Sequence, residues 1–64
     1  MNKQYLTTDF SKFILIGKEY RTGKKFRLVY SDYFTANSIN LWNGRMYGIL
    51  KNTGKRVLIK TVTN

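Results

Sequence analysis

The 64 residues carry twelve Lys or Arg against three Asp or Glu, with no histidine and a formal net charge of +9. Cysteine is also absent, which excludes disulfides, zinc sites of the usual ligands and thiol or histidine catalysis within these residues. A chain of this length makes one domain with a thin core, burying only about 60% of the surface its unfolded form exposes. Yet 42% hydrophobic and 16% aromatic residues are too many for a disordered basic tail.

Residues 1–10 are polar with scattered aromatics and read as a loosely held arm, leaving 11–64 as a single basic, β-rich domain. They lack the long apolar stretch of a signal peptide, and no run approaches the roughly 20 apolar residues that span a bilayer. The first strand is expected over 12–20, where β-forming residues lie between turn formers. Gly23 allows a reversal. Residues 24–30 alternate, with Phe26, Leu28 and Tyr30 on one side and Lys25 and Arg27 on the other, the period of a half-buried strand. Ser31-Asp32 suits a helix cap, and a short helix follows through Tyr33, Phe34 and Ala36 to Asn37 or Ser38. A third strand is expected over 39–42. Asn43-Gly44 then predicts a two-residue hairpin turn, because both positions of that turn need positive φ. Strands over 45–51 and 55–63 complete the pattern, joined at Asn52-Thr53-Gly54. Arg56, Leu58 and Lys60 are expected on one face of the last strand, with Val57 and Ile59 on the other. The fold class is α+β: a twisted antiparallel sheet of about five strands, ordered β-β-α-β-β-β, with one short helix packed on it. A small barrel-like closure is the competing geometry.

Catalytic chemistry has few residues to draw on. Asp9, Glu19 and Asp32 are the only carboxylates. Asp32 fits a helix cap and Glu19 a surface ion pair, so converging acids on magnesium are not expected. The glycines form neither a phosphate loop nor a dinucleotide fingerprint. No enzymatic activity, cofactor or small-molecule substrate is expected. Basic and aromatic residues, in contrast, interleave throughout. Lysine and arginine neutralise phosphates and release counterions, and aromatic faces stack on unpaired bases. The candidate nucleic-acid contacts are Lys25, Arg27, Arg45, Lys51, Arg56 and Lys60, with Trp42 and Tyr47 as candidate stacking groups. Phe13, Phe26, Tyr30 and Phe34 are assigned to the core instead, because so small a fold needs its large apolar groups inside. Residues 23–30 share a basic and aromatic character with the RNA-binding strand of RRM and cold-shock domains. They lack its internal glycine and further platform aromatics, so no kinship is read from them.

Ile39-Asn40-Leu41-Trp42-Asn43-Gly44, Tyr47-Gly48, Gly54-Lys55-Arg56 and the ending Val62-Thr63-Asn64 resemble, in style and layout, the small basic early proteins of tailed bacteriophages. The resemblance covers about half the chain and carries no binding residues across. It implies a phage product acting on host or phage nucleic-acid machinery in the host cytoplasm. Two functions therefore stand as expectations. One is weakly sequence-specific, mainly electrostatic nucleic-acid binding, with duplex DNA slightly ahead of single strands. The other is modulation of an acidic host protein, such as a polymerase subunit or a defence nuclease, steered by the same positive field. Membrane attachment is not expected, since no amphipathic basic helix is visible. A homodimer is possible through an edge strand at 56–62 or 12–20.

Overall fold

Four antiparallel strands and one short helix organise residues 5–63, which are the residues the computed structural model describes. The strands are β1 (Phe10–Glu19), β2 (Lys25–Tyr30), β3 (Trp42–Leu50) and β4 (Arg56–Val62), and the helix α1 is Tyr33–Ser38. Their order across the sheet is β2-β1-β3-β4, and the sheet is open. The fold is a small, mostly β domain with its helix on one face.

The strand count is four rather than five because Asn43-Gly44 does not turn. It lies inside β3, where Asn43 pairs with Lys18 and Gly44 with Gly17. Gly44 has φ +153°, and a Cβ there would lie 2.2 Å from the Ile16 carbonyl oxygen. On the facing strand, a Cβ on Gly17 would lie 2.0 Å from the Asn43 oxygen. The glycine pair thus serves a close approach of two backbones, a role that local turn chemistry does not reveal.

The helix forms where its cap was expected. Asp32 accepts hydrogen bonds from the Thr35 amide at 2.9 Å and the Thr35 hydroxyl at 3.0 Å. Such a cap contributes about 1 kcal/mol. In six residues only one face meets the sheet. Ala36 is buried on it, and the Tyr33 ring lies 5.5 Å from that of Phe13. Phe34 points away and is 82% exposed, so it is not a core residue.

One side of the sheet carries the core. Phe10, Phe13, Leu15, Ala36, Trp42 and Met46 form one buried cluster, with Phe26, Leu28 and Tyr30 packed against it. Phe10 reaches this side because a bulge between Phe10 and Lys12 inserts Ser11, bringing the Phe10 and Phe13 rings to 5.6 Å. Of the arm expected over 1–10, residues 1–4 lie outside the described residues. Thr7–Asp9 form a 3-10 turn, Tyr5 packs on the core and Phe10 already belongs to β1.

Candidate nucleic-acid interface

The open side of the sheet follows from the ladder, since directly paired residues share a face. Across it run rows set by the register: Lys25, Lys18, Asn43; then Arg27, Ile16, Arg45, Thr61; then Val29, Ile14, Tyr47, Leu58; then Lys12, Ile49, Arg56. An apolar row, Val29, Ile14, Tyr47 and Leu58, crosses the face from one edge strand to the other, with Lys18, Lys25, Arg27 and Arg45 to one side of it and Lys12 and Arg56 to the other. Ile14 is buried beneath its neighbours at 6% exposure, whereas Ile16, Val29 and Leu58 stand 37%, 48% and 50% exposed. The Arg56 guanidinium carbon sits 4.5 Å from the centroid of the Tyr47 ring, a cation–π contact that holds the cation against the apolar row.

None of the three side-chain carboxylates belongs to this face. Asp9 lies in the turn before β1 and accepts from the Leu6 amide at 2.8 Å. Asp32 caps α1. Glu19 ends β1 on the helix-side alternation and accepts from the Thr22 hydroxyl at 3.0 Å. Each acid thus lies in a turn or cap, off the rows of the open face. Among the described residues no group of three potential metal ligands exists. None of the described helices is long and apolar enough to cross a membrane.

The structure distributes the candidate contacts unequally. Lys25, Arg27, Arg45, Arg56 and Tyr47 share the open face. Lys60 does not. β4 bulges so that Tyr47 pairs with Leu58 while Met46 pairs with Lys60, and Ile59 is the extra residue. The bulge inverts the alternation, and the Lys60 ammonium donates to the Asn37 side chain on the helix side. Trp42 is equally remote: it is 2% exposed, 5.5 Å from the Phe26 ring, and its indole N–H donates to the Ile39 carbonyl at 3.1 Å. Lys51 lies in the turn after β3, beside Tyr5, Thr8 and Asp9. Sequence reasoning missed Lys12 and Lys18, and with them Ile14 and Ile16. The signal was a count by two along β1, which gives Lys, Ile, Ile, Lys. Apolar neighbours at 13 and 15 hid it.

A depression of about 440 Å³ opens between β3 and β4, lined by Ile16, Arg45, Tyr47 and Thr61 among others. No family model, no curated protein and no solved structure matches this chain.

Proposed function

We propose that the open face binds nucleic acid, mainly through phosphate neutralisation and with weak sequence preference. The observation that carries this reading is the gathering of Lys12, Lys18, Lys25, Arg27, Arg45 and Arg56 on one face that holds none of the side-chain carboxylates. Like charges so placed repel one another in the free protein, and counterion release on meeting phosphates relieves that repulsion. The basic turns extend the field at both ends of the sheet, with Arg21 and Lys24 beyond β1, and Lys51 and Lys55 beyond β3. The likeness of the second half of the chain to early phage proteins adds a setting: a non-enzymatic product acting in a host cytoplasm on nucleic-acid machinery.

The test is a salt titration of oligonucleotide binding, beside a variant with Lys25, Arg27, Arg45 and Arg56 all changed to Glu. Affinity falls linearly on logarithmic axes as salt rises, and the variant shows no binding at salt where the parent is half saturated. Equal affinity in the variant overturns the assignment of the face.

A second reading is capture of an acidic protein. The half-exposed apolar row flanked by cations favours it, since apolar area within a polar surround resembles an interface core with its rim. A pull-down from nuclease-treated lysate separates the two. A stoichiometric acidic partner that survives nuclease supports the second reading; loss of every partner supports the first.

A further inference from the structure

Resting on the nucleic-acid reading above, we infer that the ligand is an unpaired strand, whose bases lie along the apolar row through Tyr47 while its phosphates meet the cations that flank that row. Three features of the open face carry this.

The first is size. Four strands about 4.8 Å apart span roughly 14 Å before side chains are added. The duplex major groove is about 12 Å wide and takes one helix or a two-stranded ribbon, so this face cannot enter it. A duplex would touch the sheet only along phosphate ridges.

The second is the layout of charge. Phosphates of a duplex would lie over Ile16, Val29 and Leu58, dehydrating phosphate and apolar side chain alike without a compensating contact. An unpaired strand turns its bases one way and its phosphates the other. Its bases then cover Val29 and Leu58, which are 48% and 50% exposed in the free protein. The third feature is the depression beside the ring. Its walls combine Tyr47 for stacking with Arg45 and the Thr61 hydroxyl for polar contact. A base stacks on Tyr47 in exchange for Arg56, or on the guanidinium plane itself, since both surfaces accept bases. A second copy of the chain does not suit this face, because its identical cations would oppose the first set. Unpaired DNA and unpaired RNA offer the same stacking and charge, so both are probes here.

The test uses fluorescence anisotropy with a labelled 12-nucleotide DNA, an RNA of the same sequence and the matching DNA duplex, at one salt concentration. The unpaired strands bind at least about 10-fold tighter than the duplex. Tyr47→Val, which keeps a strand-favouring residue, weakens unpaired-strand binding by about 5- to 150-fold, the range for loss of one stacked base. Duplex binding stays within about twofold, and Tyr47→Phe retains the parent affinity for all three. Equal or tighter binding of duplex by the parent protein overturns the inference while leaving the nucleic-acid reading intact, whatever the variants do. Equal losses on unpaired strand and duplex in Tyr47→Val also overturn it. Absence of binding to all three probes removes the underlying reading instead. If DNA and RNA bind within threefold of each other, the stacking surface alone suffices; a larger difference overturns that shared account.

Discussion

Both faces of the sheet are apolar at the centre, and they differ in what surrounds that centre. On one face Phe13, Leu15 and Met46 lie under α1, Trp42 and Tyr5, and burial is nearly complete. On the other, Ile14, Ile16, Val29 and Leu58 lie among rows that carry lysine and arginine, and most remain partly wet. The first arrangement stabilises the fold by removing apolar area from water. The second keeps apolar area in water and adds charge repulsion. A chain of this length holds only about 3–10 kcal/mol of stability in all. An uncovered face of this kind therefore stabilises the fold less than the helix side does. The comparison teaches that the buried contacts gather on the helix side and the unbalanced cations on the open side, divided by the alternation of β1 and β3.

The sharpest way to break that division is to disturb the register that creates it. Gly17 and Gly44 face each other, and a Cβ on either would strike backbone at 2.0 and 2.2 Å. Backbone cannot move aside without separating β1 from β3. Gly17→Ala or Gly44→Ala is expected to destabilise by more than about 3 kcal/mol, the upper end for overpacking, and to leave little folded protein. Gly48→Ala is the milder control, since its Cβ would meet the Phe10 ring at 2.5 Å and a side chain can shift. It should lose about 1–3 kcal/mol. Urea unfolding measures all three. An unchanged midpoint for Gly44→Ala would mean that no backbone lies against Gly44, and both face assignments would fall with the register.

A smaller effect separates two lysines that look alike in sequence. Lys25 lies on the open face, while the bulge in β4 carries Lys60 to the helix side and its contact with Asn37. Lys25→Ala should reduce the salt slope of binding by about 0.7 on unpaired strand or about 0.9 on duplex, one phosphate contact in either case. Lys60→Ala should leave the slope unchanged. Equal reductions would place Lys60 back among the open-face cations.

How much of this was legible depended on whether the signal was local. β2 could be read because its alternation of Phe26, Leu28 and Tyr30 with Lys25 and Arg27 is an unbroken period of two. The helix could be read because Asp32 caps it through a bond three residues away. The central strand could not be divided into faces, because both of its faces are apolar. Its central place also removes 12–20 from the edges available for self-pairing; β2 and β4 are the edges. The Asn-Gly pair misled because its need for glycine arises from a strand 27 residues away in the chain, at Gly17. Lys60 misled because a bulge changes parity, and no residue in 56–62 announces one. Phe34 misled because hydrophobicity says nothing about which side of a six-residue helix meets the sheet.

The smallest effect tests the trade between the two faces within one residue. Lys18 and Lys25 are direct partners in the β1–β2 ladder, with side chains on the same open face. Like charges directly opposite are destabilising, and opposite charges contribute about 0.2–1 kcal/mol in the other direction. Lys18→Glu replaces the repulsion with an attraction, so stability should rise by about 0.5–1 kcal/mol in low salt. That gain corresponds to a midpoint increase of about 2–8 °C for a domain this small. Both groups are exposed, so the gain should shrink as salt screens it. Binding should move in the opposite direction, because one rim cation becomes an anion facing phosphate. A variant that gains thermal stability and loses oligonucleotide affinity together would show that the open face is held in a strained electrostatic state for the sake of its ligand. A variant that loses both would mean that Lys18 is part of the fold's support, and that the separation of stability from recognition does not extend to this end of the sheet.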